Sequence, residues 1–397
     1  QYMQFPERFS NLPEYAFPRL RALLDHLPAG GEVVHMTIGE PKHKFPEFIT
    51  STIAQHAAGF NRYPPNQGCP ELLASVSAWI KRRYNVTMDA NTQLMALNGS
   101  REGLFNSCLA LCPEQKNGHK PNVLIPNPFY QVYAVATLAA NATPVFVSAH
   151  QQNGFLPDYA SLGQDVLDDT AIAYICSPSN PQGAVASYDY WVDLLKLAEK
   201  HDFYIFADEC YSEIYRTTPP VGILQVAAEI GADPERVLAF HSLSKRSNLP
   251  GLRSGFVAGG PKSLSKLKQL RDYSGAPLPL PLQMAAAAAW DDEDHVVENR
   301  AAYAKKYEVA DQVFGNIKGY SSPEAGFFLW LPVEDGEAAA LKIWQTTGVR
   351  VLPGEYLARP TKQDDPARGY IRVALVAPEQ EIMRGLKAIR ACLYEVV

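Results

Sequence analysis

The sequence predicts an α/β fold in which a mostly parallel central sheet is covered by helices, with a smaller α+β domain beside it. Short apolar runs rich in β-branched residues alternate with helical stretches between about residues 70 and 285, which is typical of strands buried on both faces of a sheet. Beyond residue 285, long charged helices and fewer strands follow. The 397 residues also exceed the usual size of a single small domain.

The elements of the larger part are predicted in chain order. An N-terminal arm with one short helix at 17–27 precedes an apolar run at 33–38. Residues 71–84 and 101–112 carry apolar side chains at helical spacing, and Pro70 suits a first helical position. The strands of the central sheet, with one helix at 191–200 among them, are expected at 123–125, 144–147, 171–176, 203–207, 237–240 and 255–258.

The C-terminal part is predicted to begin with a helix that continues from the alanines at 285–289 through residues 293–314. The further elements are strands at 327–331, 349–352 and 370–376 and helices at 337–346 and 379–392. We expect residues 45–288 to form the large domain. Residues 1–44 and 289–397 are expected to combine into the small domain, with the chain start as an arm.

Composition limits the classes of function. Hydrophobic residues make up 47% and charged residues 20%, so the chain can bury a core and is not disordered. The net charge of -6 argues against nucleic-acid binding, which needs a basic face. The six cysteines lack the paired spacing of zinc or redox sites, so we expect reduced thiols and no metal. No apolar run reaches the length of a membrane span and no signal peptide is visible, so a cytoplasmic enzyme without membrane contact is expected.

Polar side chains follow three of the predicted strands, where ligands bind in α/β sheets. These residues are Asn180, Asp208 with Tyr211, and Ser242, Ser244 and Lys245. They suit a phosphorylated pyridine aldehyde, because an amine bonds to the aldehyde, a carboxylate keeps the ring nitrogen protonated, and a phenol and an amide hydrogen-bond the ring oxygen. A phosphate needs backbone N–H groups at a helix start, hydroxyls and an arginine. Ser100, Arg101 and Arg253 complete that set.

The segment from Ser242 to Arg253 resembles the cofactor-lysine signature of the class I and II, fold type I, pyridoxal-phosphate aminotransferases. Other motifs follow in the order of that family: Asn-Pro-x-Gly at 180–183, Asp-x-x-Tyr at 208–211 and an arginine within 370–373. The resemblance covers residues 38–376. It implies a fold type I transferase whose large domain binds pyridoxal 5'-phosphate, a homodimer, and an amino donor and a 2-oxo acid as substrates.

Carried over by position, the resemblance implies three catalytic residues. Lys245 would bond to the cofactor and then act as acid and base, Asp208 would pair with the ring nitrogen, and Tyr211 would contact the ring oxygen. The remaining cofactor residues would be Asn180 at the ring oxygen, Tyr130 on the ring face, Ser100, Arg101, Ser242, Ser244 and Arg253 at the phosphate, and Tyr63 at the phosphate of the neighbouring subunit. Arg372 would bind the substrate α-carboxylate, with Gly39 and Asn180 alongside.

Six segments narrow the resemblance to the succinyldiaminopimelate aminotransferases of bacterial lysine biosynthesis. They are 17–23, 38–43, 98–102, 127–133, 208–215 and 351–354. The implied reaction exchanges an amino group between N-succinyl-LL-2,6-diaminopimelate and 2-oxoglutarate. Such polycarboxylates need cations beyond Arg372, and we hypothesise that Arg101 binds a distal carboxylate.

Two alternative functions remain open from the sequence. The same cofactor also supports aminotransferases for other amino acids and cysteine-conjugate β-lyases, because a carbanion can eliminate a β-group. A non-catalytic, effector-binding relative of this fold is the more distant alternative. It predicts an attached DNA-binding segment, and no basic helix-turn-helix precedes residue 38.

Overall fold

The computed structural model describes residues 2–361 and 364–395, and this part of the chain contains twelve strands in three sheets. The strands are β1 Val34–His35, β2 Leu94–Leu97, β3 Asn122–Asn127, β4 Thr143–Ser148, β5 Thr170–Cys176, β6 Tyr204–Asp208, β7 Val237–Ser242, β8 Gly255–Gly259, β9 Phe328–Pro332, β10 Val349–Arg350, β11 Leu352–Pro353 and β12 Tyr370–Ala374. The α-helices are α1 Ala16–Leu24, α2 Phe48–Gln55, α3 Pro70–Tyr84, α4 Ser100–Leu111, α5 Gln131–Ala139, α6 Gln164–Asp168, α7 Tyr188–His201, α8 Ile223–Ile230, α9 Leu243–Arg246, α10 Pro261–Ser274, α11 Leu280–Asp291, α12 Asp294–Phe314, α13 Gly336–Thr347 and α14 Glu379–Leu393.

The central sheet has seven strands in the order β2-β8-β7-β6-β5-β3-β4. Strands β3 to β7 pair in parallel, and β8 runs antiparallel to both β7 and β2. Alternate residues of one strand enter different cores: Ile205 and Ala207 of β6 join one apolar cluster, and Phe206 joins another. The sheet is therefore covered on both faces, and the predicted mostly parallel α/β architecture is confirmed.

Two smaller sheets connect the ends of the chain. Strand β1 pairs in parallel with β10, and β12 lies between β11 and β9 in an antiparallel sheet. Helices α12, α13 and α14 cover these strands around a separate core that contains Met36, Tyr307, Ile343, Ile371 and Leu386. This arrangement places Arg372 in the middle strand of the three-stranded sheet. The proposed domain boundaries at 44/45 and 288/289 remain a prediction.

Two predicted elements differ from the structure. The helix expected to continue from residue 285 to 314 is two helices, because Asp292 has an extended backbone and its carboxylate accepts the N–H of His295 at the start of α12. The strand expected at 349–352 divides between two sheets, since Val349 pairs with Val34 and Leu352 pairs with Arg372. No helix in the described part of the chain is long and apolar enough to cross a membrane.

Candidate active site

A cavity of about 520 Å³ opens at the carboxyl ends of β5, β6 and β7. The start of α4 and residues of the three-stranded sheet β11-β12-β9 also line it. Twelve of the thirteen residues proposed from the sequence line it. They are Gly39, Ser100, Arg101, Tyr130, Asn180, Asp208, Tyr211, Ser242, Ser244, Lys245, Arg253 and Arg372. Tyr63 does not line it; its side chain is fully exposed on the same chain.

Asp208 ends β6 and is buried at the floor of this cavity. The Tyr133 hydroxyl donates to its Oδ2 at 2.5 Å, and the Cys210 backbone N–H donates to its Oδ1 at 3.4 Å. Burial raises the pKa of Asp208 from its ordinary value, and the hydrogen bonds from Cys210 and Tyr133 oppose that rise. A buried carboxylate held by neutral donors is suited to a protonated ring nitrogen.

Lys245 lies in the short helix α9, directly after β7, and its Nζ donates to the carbonyl oxygen of Gly39. Burial lowers the pKa of Lys245 to about 8, and the charges of Arg372 and Arg253 act in the same direction. A fraction of the protein molecules therefore has Lys245 as a neutral amine near neutral pH. A neutral amine is the form that attacks an aldehyde.

A candidate anion site lies at the start of α4. Gly99 has φ of +80° and carries no side chain to occupy the first N–H groups of the helix, and a Cβ at this position would lie 2.3 Å from Arg253 Nη2. The hydroxyls of Ser242 and Ser244 lie 3.0 Å apart and also line the cavity. Backbone N–H groups, hydroxyls and a guanidinium together are the donor set that a phosphate needs.

Arg372 is buried, lies in β12 and lines the cavity. It donates from Nη1 to Asn180 Oδ1 at 3.1 Å and from Nη2 to the Thr37 carbonyl at 2.8 Å, while Phe328 lies under its guanidinium at 4.2 Å. Among the residues that the structure describes, its Nε has no hydrogen-bond partner. Burial lowers the pKa of Arg372 to about 10. A buried, incompletely bonded guanidinium is suited to a carboxylate ligand.

Sequence reasoning missed Tyr133 as a site residue. Tyr130 directly precedes α5, and Tyr133 lies three residues later in its first turn. Both residues line the cavity. The i, i+3 spacing of these two tyrosines, which places side chains on the same face of a helix, is the sequence signal that could have identified Tyr133. Tyr130 itself accepts a hydrogen bond from Arg101 Nε at 3.0 Å, so these two proposed residues are brought together at the cavity mouth.

These residues fit pyridoxal phosphate. The buried Asp208 suits the ring nitrogen, Lys245 suits the aldehyde, and the cradle at Gly99 and Arg253 suits the phosphate. Among the described residues no cluster of potential metal ligands is found. The roles of the individual residues remain proposals.

Comparison with known proteins agrees with this geometry. The sequence model of the family "Aminotransferase class I and II" matches residues 31–389. The chain is 30% identical to an LL-diaminopimelate aminotransferase from Dehalococcoides mccartyi over 97% of each chain. The structure of an aminotransferase from Neisseria meningitidis Z2491 is 39% identical, covers 98% of this chain and 99% of its own, and superposes with a TM-score of 0.93. For aminotransferase AspB from Helicobacter pylori 26695 the identity is 34%, the coverage is 98% and 99%, and the TM-score is 0.88.

Proposed function

Because the chain belongs to the class I and II aminotransferase family and its cofactor is pyridoxal phosphate, we propose that it moves an amino group between N-succinyl-LL-2,6-diaminopimelate and 2-oxoglutarate. The observation that carries the choice of donor is the distribution of charge around the cavity. Its described lining contains three arginines and Lys245, and Asp208 is the only acid. A substrate with several carboxylates and no second ammonium matches this distribution.

Each residue of the proposed site has a separate role in the reaction. When bound, pyridoxal phosphate supplies an aldehyde for the amino group and a ring that withdraws electrons from the substrate α-carbon. Asp208 holds the proton on the ring nitrogen, and Arg372 orients the substrate by its α-carboxylate. Lys245 Nζ would take the proton from the substrate α-carbon as the base and, as the acid, deliver it to the carbon of the cofactor's aldehyde group, so that the amino nitrogen stays with the cofactor. Tyr211 and Asn180 bind the ring oxygen.

The proposed donor extends beyond these contacts toward the cavity mouth. In this proposal Arg253 binds the phosphate and Arg372 binds the α-carboxylate. Arg101 is therefore the remaining arginine of the lining that can bind a distal carboxylate. Arg101 is exposed, and in the described part of the chain its one side-chain hydrogen bond goes to Tyr130. Apolar residues line the remaining wall and suit the methylene chain of the donor; they include Phe17, Ile38, Phe155 and Leu156.

Substitution of Arg101 tests this assignment. For Arg101→Gln we expect KM for both 2-oxoglutarate and the succinylated donor to rise roughly 10- to 100-fold, the usual size for a lost charged hydrogen bond. Pyruvate, which has no distal carboxylate, serves as the matched acceptor and should keep its kinetics. All assays use saturating cofactor, because Arg101 also lies near the phosphate site. Unchanged kinetics for 2-oxoglutarate and the succinylated donor would refute the assignment.

LL-diaminopimelate is the second candidate donor, and the name of the Dehalococcoides mccartyi relative favours it. Its distal ammonium would find no acid other than Asp208 among the described lining residues. A donor screen with 2-oxoglutarate separates the two: glutamate formation should be faster with the succinylated compound. Faster reaction with LL-diaminopimelate would replace the proposed donor. Pyruvate release from cystathionine without glutamate formation would instead indicate a β-lyase.

We also propose a homodimer in which Tyr63 reaches the phosphate of the neighbouring subunit. Its fully exposed side chain supports this assignment, because an aromatic residue that finds no cover within its own chain is suited to an interface. Mixing Tyr63→Ala and Lys245→Ala subunits provides a sharp test. If Tyr63 acts across the interface, each mixed dimer has one site in which both Lys245 and Tyr63 are intact. Such a dimer should regain about half of the activity of a wild-type dimer. If Tyr63 acts within its own chain, no intact site forms and activity is not regained.

A further inference from the structure

Residues 36–46 form an irregular segment between β1 and α2. Its first part is fixed to the small sheets, because the Met36 N–H donates to the Arg350 carbonyl and the Met36 carbonyl accepts from the Ala374 N–H. Farther along, Ile38 and Gly39 line the cavity, and the Gly39 carbonyl accepts from Lys245 Nζ. The segment therefore forms part of the wall beside the reactive lysine.

His43, four residues after Gly39, lies in a polar cluster that the catalytic scheme does not use. Its Nδ1 lies 2.7 Å from Asn299 Oδ1, and its Nε2 lies 2.9 Å from Lys306 Nζ. We call these three residues the His43 cluster. Asn299 and Lys306 are buried in α12, and Lys306 also donates to the Val376 carbonyl at 3.3 Å.

Asn299 connects this cluster to the reactive lysine. Its Nδ2 lies 3.3 Å from the backbone carbonyl of Lys245 and 3.4 Å from that of Arg246. Segment 39–43 is thus tied to Lys245 at both ends: Gly39 contacts the side-chain amine, and His43 contacts the backbone through Asn299. A bond from Lys245 Nζ to the cofactor would compete with its contact to the Gly39 carbonyl, whereas the contacts of His43 do not involve Nζ.

We propose that His43 is a positioning residue that holds segment 39–43 beside Lys245 and so fixes the substrate wall formed by Ile38 and Gly39. The proposal rests on the proposed role of Lys245 but not on the identity of the amino donor. It assigns the segment a fixed end at His43 and a releasable end at Gly39.

The hydrogen bonds require neutral His43. Asn299 Oδ1 can only accept, so Nδ1 carries the proton, and Nε2 is left to accept from the Lys306 ammonium. Protonation of Nε2 would place two cations in contact. The other groups around the cluster are the Tyr303 ring on α12, Glu379 at the start of α14, and an exposed ion pair between Lys42 and Glu40 on the segment itself.

The pH dependence follows from these contacts. Burial lowers the pKa of His43 below its ordinary value, and the Lys306 charge adds to the effect against the opposing bond from Asn299. Burial lowers the pKa of Lys306 to about 8. The neutral form of His43 is therefore fully present above about pH 6.5. As the pH falls below 6.5 and through the lowered pKa of His43, the imidazole gains a proton and the cluster weakens.

Hydrogen–deuterium exchange tests the proposal without relying on turnover. In cofactor-free and cofactor-loaded protein, His43→Ala should raise the corrected exchange rate of residues 36–46 about tenfold at pH 7.5, as expected for loss of a charged hydrogen bond. His43→Gln should restore slow exchange, because its amide can donate to Asn299 and accept from Lys306. His35→Ala, at the exposed position of β1, is the matched control and should leave the segment unchanged.

Exchange of the segment in wild-type protein should become faster as the pH is lowered below 6.5 toward the lowered pKa of His43, and exchange in His43→Gln should not. In turnover, His43→Ala should raise KM for the amino donor about tenfold with a smaller change in kcat. Equal exchange in wild type and His43→Ala, or failure of His43→Gln to restore it, would overturn the proposal. Lys306→Met provides a second variant if His43→Ala does not fold. Because the exchange result is obtained without cofactor, it stays separate from any failure of the proposed reaction.

Discussion

Tyr133→Phe removes the hydroxyl that donates to Asp208 Oδ2 at 2.5 Å. Both groups are buried, and the remaining backbone donor, the Cys210 N–H, is more distant at 3.4 Å. A hydrogen bond to a charged group contributes about 1.5–3 kcal/mol. Because the bond from Tyr133 opposes the rise that burial causes, its loss should raise the pKa of Asp208 further. A carboxylate that protonates more readily pairs less well with a protonated ring nitrogen.

We therefore expect the kcat of Tyr133→Phe to fall about tenfold and the acid limb of its pH profile to move to higher pH. Cofactor affinity, measured by equilibrium dialysis, should fall as well. Tyr174→Phe is the matched control, because its buried hydroxyl donates to the Leu104 carbonyl at 2.7 Å and its ring stacks on Tyr133 at 4.6 Å. It loses a buried tyrosine hydrogen bond without touching Asp208. If both variants show the same acid limb and the same cofactor affinity, the reasoning about Asp208 is wrong.

Three further predictions concern the cofactor site and its support. Lys245→Ala should abolish both turnover and borohydride trapping of the cofactor, and residual trapping would point to another lysine. Gly99→Ala should weaken cofactor binding roughly tenfold in a dialysis titration, because φ of +80° and a Cβ 2.3 Å from Arg253 Nη2 strain the phosphate cradle; unchanged affinity would contradict that geometry. Arg83→Ala should lower the free energy of unfolding in urea by about 3–5 kcal/mol, because it leaves the buried carboxylate of Glu213, 3.0 Å away, without a cation; a loss below about 1 kcal/mol would contradict a buried ion pair.

The sequence identified the central sheet because strands buried on both faces must be apolar along their whole length. β2, with the sequence Leu-Met-Ala-Leu, lacks β-branched residues and resembles a helical fragment, so it was not predicted. The break between α11 and α12 was missed for a different reason. Neither glycine nor proline marks it, and it depends on the Asp292 carboxylate capping α12.

The site was predictable where chemistry follows a strand directly. Asp208 and Lys245 are of this kind, since the order of elements alone brings them to one edge of the sheet. The contacts of Arg372 with Thr37, and of His43 with Lys306, join residues that are 335 and 263 positions apart. No local pattern records such contacts, because they depend on how the small sheets pack.

The pairing of β1 with β10 has a consequence for the order in which the chain is completed during synthesis. Lys245 and the residues proposed to hold the phosphate lie between Gly99 and Arg253, so this stretch has left the ribosome before β10 and β12 are translated. At 5–20 residues per second, the stretch from Arg253 to Arg372 takes roughly 6–24 seconds to synthesise. Until Val349 and Arg350 are translated, β1 has no partner strand, and until Arg372 is translated the side of the cavity proposed to bind the substrate carboxylate is incomplete. A nascent chain can therefore present the cofactor half of its pocket well before it can select a substrate.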